Sequence, residues 1–214
     1  VVHNLILGST TVVGAGTDWE VDGRSQRRYT PYHIRHRTEV AGMMTILHGD
    51  NRFYNNIFVQ YYPVDNNESK ESPYYQVVGN HVWDEYPTYD EWIARFDMDV
   101  EKPDMDKLAV PHFDHLPIWA NGNAYLMGAK AWKKETDKFV DADTEVTVEL
   151  VEKDGFSELE TNIYEILGDY SNGIITSDIL GKAFEPEQRF EERDESDIIF
   201  NVDFYGNHRG VSTI

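Results

Sequence analysis

Three times along the chain an Asn is followed by a short apolar run: Asn4-Leu5-Ile6-Leu7, Asn56-Ile57-Phe58-Val59 and Asn123-Ala124-Tyr125-Leu126. Each copy sets an Asn, or an Asn/Gly pair, at a bend that tolerates left-handed backbone. The residues that follow read as a strand. The Asn positions lie 52 and 67 residues apart, far more than the period of a bare solenoid coil. The pattern therefore predicts coils of a parallel β-helix that carry long inserted loops. Binding residues concentrate on loops held by a rigid scaffold, so function is expected in the insertions.

Between the copies the texture changes. Residues 14–28 mix Gly, Asp, Ser and Arg without periodicity and read as an exposed loop. A basic and aromatic run over residues 29–37 extends it, giving a first insertion at 14–37. Strand-like patterning returns over residues 38–59 through Val40, Met44, Ile46, Phe53, Ile57 and Val59, where the coils resume. Residues 61–117 form the second insertion, with one short helix at 89–97 started by Thr88. The aromatics of this region, Trp83 and Trp92 among them, and Trp119 just beyond it, are too numerous for a disordered tract and must pack on something. After Gly128, residues 144–151 alternate polar and apolar, and 156–167 and 197–204 read as half-buried strands. That pattern predicts an antiparallel sheet belonging to a β-sandwich. The expected fold is all-β: β-helix coils over 1–130 and a β-sandwich-like domain over 131–214. Val1-Val2 reads as the interior of a strand without a capping element, so further coils, or a partner chain, are expected to cover that end.

Composition narrows the partners. The 39 Asp and Glu against 19 Lys and Arg give a formal charge of −20 among 214 residues, which repels nucleic-acid phosphates and anionic lipid. No run approaches the roughly 18 apolar residues of a membrane helix, and the chain reads as soluble. With no cysteine, disulfides, thiolate metal sites and a Cys nucleophile are excluded. That fits a reducing compartment or an exported protein without staples, and of the two the cytoplasm is favoured.

Several segments together carry a family resemblance: Arg28-Tyr29-Thr30-Pro31-Tyr32-His33, Thr38-Glu39-Val40-Ala41-Gly42, Gly49-Asp50-Asn51-Arg52-Phe53-Tyr54, Ile179-Leu180-Gly181-Lys182-Ala183-Phe184 and Asp203-Phe204-Tyr205-Gly206-Asn207. The chain resembles the C-terminal part of right-handed parallel β-helix glycoside hydrolases of family 120, which are β-xylosidases. The resemblance implies a retaining glycosidase acting on xylosides or related pentosides of plant oligosaccharides. It also implies that the catalytic Asp and Glu precede the Val2-His3-Asn4-Leu5 phrase, since neither of their motifs occurs here. The nucleophile and acid/base would then belong to an N-terminal β-helix portion or a partner chain. The other reading is a non-catalytic carbohydrate-binding or assembly subunit. A lyase acting on uronates would want a cationic groove, against the charge of −20.

Retaining glycosidases hold two carboxyl groups about 5 to 5.5 Å apart. Within this chain Glu39 and Asp50 are the candidates, being in family-like segments at strand edges. Alternatively, Asp50 brackets the turn before Arg52, and Glu39 pairs with Arg35 or Arg37. His33 and His36 in the basic run, with His48, are the candidate substrate-binding residues, because imidazoles hydrogen-bond sugar hydroxyls. Trp83, Trp92 and Trp119 either stack on sugars or pack in the core. His33 and His36 with Glu39, and His112 and His115 with Asp114, resemble zinc fragments but match no ligand motif, so no metal site is assigned. No cofactor is called for, although so acidic a loop leaves room for irregular Ca²⁺ coordination.

Overall fold

The computed structural model describes residues 1–10, 49–62, 77–95, 102, 115–184, 187–203 and 205–209, together with the backbone of four strands between residues 18 and 45. In chain order the strands are β1 (Leu5–Ile6), β2 (Asp18–Val21), β3 (Arg24–Arg27), β4 (Tyr29–His33), β5 (Val40–Thr45), β6 (Asn51–Tyr54) and β7 (Ile57–Val59). Helix α1 (Tyr89–Ala94) precedes β8 (Ile118–Asn121), β9 (Asn123–Leu126), β10 (Lys138–Asp141), β11 (Val148–Lys153) and β12 (Phe156–Thr161). Helices α2 (Ile163–Leu167) and α3 (Ser177–Leu180) follow. Among the described residues the regular structure is mostly sheet, with few, short helices.

The three apolar phrases stack in register. β1, β7, β9 and β10 form one parallel sheet in that order, with Leu5, Ile57, Ala124 and Phe139 in one row and Ile6, Phe58, Tyr125 and Val140 in the next. β6 and β8 form a second parallel pair, extended by a bridge from Val2 to Tyr54. The chain passes from this pair into the four-stranded sheet at a left-handed residue: Asn55 at φ 53° and Gly122 at φ 71°, with His3 at φ 55° in the same place ahead of β1. Each sits immediately before Asn4, Asn56 or Asn123, so the bend and the Asn are separate roles. At Gly122 a Cβ would lie 2.5 Å from Asn55 Oδ1 and 2.7 Å from Asn172 Nδ2, so both side chains would have to shift to admit one.

The asparagines hydrogen-bond to one another along the stack. Asn56 Oδ1 accepts from Asn4 N at 3.1 Å, and Asn123 Oδ1 accepts from Asn56 N at 3.0 Å and Asn56 Nδ2 at 2.9 Å. In the fourth row the register places Lys138 opposite Asn123. There the ladder ends on another residue: Glu135 Oε1 accepts from Asn123 N at 3.2 Å and Asn123 Nδ2 at 2.7 Å. Its Oε2 accepts from the Tyr125 hydroxyl at 2.5 Å, which in turn accepts from Asn80 Nδ2 at 2.9 Å. Asn56, Asn80, Asn123 and Glu135 are all buried. Desolvation raises the Glu135 pKa above the ordinary carboxylate range, against the opposing effect of its hydrogen bonds from Tyr125 and Asn123.

Three apolar clusters surround this ladder. Phe53, Phe58, Ile118 and Tyr125 pack with Val78, Trp83, Tyr86 and Trp132, and the Phe58 and Tyr125 rings stack at 5.1 Å with 4° between planes. Val59, Ala124 and Leu126, on the opposite side of β7 and β9, are covered by Val146, Ile163 and Leu167. Both faces of the central strands β7 and β9 are thus buried, as is usual for parallel pairing. Outside β6 and β8, Tyr54 packs with Ile175 and Leu180, backed by Trp119, Phe190, Ile198 and Phe200. Residues beyond 140 therefore cover the outer faces of both parallel sheets.

Some expected loops and strands differ. β2 and β3 pair antiparallel within the expected loop at 14–28; the intervening sequence, Asp22-Gly23, is a two-residue hairpin signal. β5 pairs antiparallel with β4 and does not rejoin the parallel sheets, which resume at Asn51. The strand expected at 156–167 ends at Thr161 and gives way to α2, whose apolar Ile163, Ile166 and Leu167 follow the 3.6-residue period. Over 197–204 the pairing consists of isolated bridges, Glu191 to Asp197, Thr176 to Ile199 and Val202 to His208. Among the described residues after β10, the antiparallel strands are β11 and β12 alone, and no helix is long and apolar enough to cross a membrane. The helix started by Thr88 is present, with a complete capping box between Thr88 and Glu91.

Two outcomes follow from the ladder. Asn123→Ala strands buried donors on Asn56 and lowers the unfolding free energy by about 3 kcal/mol, whereas Asn4→Ala, at an exposed rung, costs under about 1 kcal/mol; denaturant titration of the full chain separates them. Because folding raises the Glu135 pKa, its proton stabilises the fold fully below the unfolded value near 4.5, and that contribution is lost as pH rises through the folded value. The stability difference between the native chain and Glu135→Gln therefore shifts in favour of the native chain as pH falls from 7 to 4.5, read from unfolding midpoints across that window.

Candidate functional site: an aromatic cleft held open by Arg52

Along β8 alternate residues face opposite ways. Ile118 joins the core, and Ala120 packs against the same cluster. Trp119 points outward instead, half-buried, and Asn121 is exposed. The Arg52 guanidinium lies over the Trp119 ring at 4.0 Å and 4.6 Å from the Phe190 ring, between two aromatic faces. Its donors are committed. Nε donates to Leu180 O at 2.7 Å, Nη2 to Lys182 O at 2.5 Å, and Nη1 to Asp50 Oδ1 at 2.6 Å and Asp50 O at 3.2 Å. Asp50 Oδ2 accepts from Phe184 N at 2.9 Å. Asp50 itself is left-handed at φ 56°. The pair thus fastens the segment carrying Leu180, Lys182 and Phe184 to the start of β6.

That fastening forms a cleft of about 520 Å³ between the segment and α1. Its walls include Tyr89, Ile93, Trp119, Ile179, Phe184, Lys182 and Glu187. Tyr89, the first residue of α1 after the Thr88 cap, stands 6.4 Å from Trp119 and 6.1 Å from Phe184 between ring centroids. Trp92, on the buried side of the same helix, meets Phe184 edge-on at 5.5 Å and keeps that ring in place. Lys134 Nζ reaches Glu91 Oε2 at 2.5 Å and holds the Glu91 carboxyl below its ordinary pKa, which ties α1 to the turn after β9. The resulting surface combines flat aromatic faces with one carboxylate and one ammonium. Such a surface covers the apolar face of a neutral, hydroxyl-rich ring while polar groups at the rim meet its hydroxyls.

Of the residues singled out from sequence, Asp50 is not a wall of this cleft, and its carboxylate is engaged by two residues that are, Arg52 and Phe184. His33 ends β4, paired with Val40 next to an irregularity in register. Its side chain, and Glu39, His36 and His48, lie outside the described residues. Trp83 and Trp92 are core residues, whereas Trp119 lines the cleft. His115 stacks on Tyr86 at 4.1 Å, while His112 and Asp114 lie outside the described residues. Among the described residues no group of three or more His, Cys, Asp or Glu could hold a metal ion. Sequence reasoning named Arg52 only as the residue after the Asp50 turn, where the two do bond, and gave Tyr89 and Phe184 no part in the site. The available signal was the parity of Trp119, one position out of phase with Ile118.

No protein-family model matches the chain, and no curated protein does. Among solved structures it is similar to XylC, in a structure described as its complex with xylose, with a TM-score of 0.67 and 24% identity. The match covers 98% of this chain and 29% of XylC, so the chain spans under a third of that protein's length. The likeness is one of fold.

Arg52→Ala leaves Asp50 without its cation and releases the Leu180 and Lys182 carbonyls. It should cost about 3 kcal/mol, at the low end for a buried pair because the Asp50 side chain keeps 20% of its surface exposed. Asp50→Asn, which retains an acceptor for Phe184 N, should cost about 1 kcal/mol. Urea unfolding measures both, and equal costs would contradict the clamp.

Proposed function

We propose that the chain forms part of a β-xylosidase-like glycoside hydrolase of parallel β-helix architecture, acting on xylosides or related pentosides of plant oligosaccharides. The observation that carries this reading is the Trp119, Tyr89 and Phe184 cleft on a stack of parallel strands whose fold is shared with a protein solved with xylose. In this reading β1, β7 and β9 with β6 and β8 are coils of a right-handed helix, and the residues from 131 onward belong to the accompanying sandwich-like domain, whose β10 pairs onto β9. β1 is an edge of the four-stranded sheet, where a preceding coil or a partner chain would add the next rung.

The chemistry would be double displacement with retention: one carboxylate attacks the anomeric carbon, and the other protonates the leaving oxygen and then activates water. That carboxylate pair is assigned outside this chain; within it Glu39 and Asp50 remain the candidates, with His33, His36 and His48 as substrate contacts. The Arg52 and Phe184 bonds to Asp50 support a structural role for that residue. The second reading, a non-catalytic sugar-binding or assembly subunit, draws on the same cleft.

Binding and turnover separate the two. The full chain should bind xylobiose by calorimetry, with Trp119→Ala weakening it about tenfold, or about 1.4 kcal/mol. Release of p-nitrophenol from its xyloside by the chain alone would place a catalytic pair within it. Turnover that appears only on adding an N-terminal β-helix portion supports the enzyme reading. Binding that never yields turnover with such a portion favours the subunit. Absence of any sugar binding would sink both.

A further inference from the structure

The aromatic cleft does not end at Trp119. A second depression of about 350 Å³ shares Tyr89, Trp119 and Ile179 with it and continues to Tyr54 and Asn121. A third, of about 210 Å³, shares Tyr54, Asn121 and Ile179 with the second and is walled by Asn55, Asp137 and Asn172. The three form one groove that follows β8. Trp119 and Asn121 project from the same side of that strand, about 6.7 Å apart.

The two ends of the groove differ chemically. Around Trp119 the walls are rings. Around Asn121 amides and a carboxylate join Tyr54, Ile175 and Ile179, and two of the amides are anchored on backbone. Asn55 Nδ2 is anchored on Gly173 O at 3.1 Å and Asn172 Nδ2 on Gly122 O at 2.8 Å, and both side chains crowd Gly122. The side chains of Asn121 and Asp137 have no hydrogen-bond partner among the described residues, and both are exposed. An amide both donates and accepts, which suits hydroxyl groups and no particular charge. Asp90, Asp137 and Glu187 line the groove against Lys182, since Arg52 is neutralised by Asp50. That balance disfavours an anionic ligand.

We infer that the groove binds a neutral oligosaccharide of at least two units, one ring on the Trp119 and Tyr89 platform and the next held by Asn121, Asp137 and Asn172. The inference rests on the sugar-binding reading of the cleft and adds to it a second subsite, at which affinity is gained by length. Asn121 and Asp137 determine that gain, whereas Trp119 contributes equally to the binding of short and long sugars.

Calorimetry of the full chain with xylose, xylobiose, xylotriose, cellotriose and trigalacturonate tests it, alongside Asn121→Ala and Asp137→Ala. Both substitutions are at exposed side chains and leave the fold intact, as circular dichroism checks. The expected result is affinity at least tenfold higher for xylobiose than for xylose, reduced to within about threefold in either variant, with xylose affinity unchanged. Equal affinity for xylose, xylobiose and xylotriose would overturn the second subsite while leaving the xyloside reading standing. A length gain with cellotriose and none with the xylose series would keep the groove and overturn the xyloside reading. Tightest binding of trigalacturonate would overturn the neutral-ligand assignment, and variants that behave as the native chain would overturn the role of the amide end.

Discussion

The hydrogen-bond ladder through Asn4, Asn56, Asn123 and Glu135, buried from Asn56 onward, is the constraint on which the rest of the structure depends. Each time the backbone turns from one parallel pair to the next sheet it leaves an N–H that no strand partner takes. At Asn56 and Asn123 that N–H is buried, and leaving it unpaired would cost about 1–3 kcal/mol. An Asn at the same place in the neighbouring row supplies the acceptor and passes its own requirement one row along. The chain of debts ends at Glu135, whose carboxylate accepts without needing to donate and so closes the ladder. Desolvating that carboxylate is the cost, visible in its raised pKa.

Fixing the rows fixes the side chains on either side of them. A slip of one residue would send Phe58 and Tyr125 outward and Val59 and Leu126 inward. With the register held, Phe58 and Tyr125 stack inside, and the C-terminal residues find an apolar outer surface to cover. The same register carries Trp119 and Asn121 to the outside of β8. Arg52, one strand away, then joins the covering segment to the sheet through Leu180, Lys182 and Asp50, and the cleft is the space this leaves beside α1. Scaffold and site are therefore one construction: the residues that hold the outer layer down also shape the wall of the groove.

Legibility in the sequence followed the range of the interactions. The repeat at Asn4, Asn56 and Asn123 was readable because each copy carries its own Asn and its own apolar run, and the α1 start was readable because Thr88 and Glu91 form a local cap. Glu135 was not, since it replaces an Asn from three positions ahead of the expected row, where the pattern shows Lys138. Arg52 bonds residues some 130 positions away, a relation with no periodic signature. The β2–β3 hairpin was legible in principle, through Asp22-Gly23, but was masked by its polar composition. Among the tryptophans, only strand parity distinguishes Trp119 from the buried Trp83 and Trp92.

Native-state hydrogen exchange at the backbone amides of Asn56 and Asn123 tests the central claim most directly. Both donate to side chains, not to strand partners. If the ladder holds the fold together, these two amides exchange only through global unfolding, with the same free energy as the most protected amides of β7 and β9. Exchange of either amide through local opening, several kcal/mol below the global value, would show that the sheets stand without the ladder and would contradict the claim.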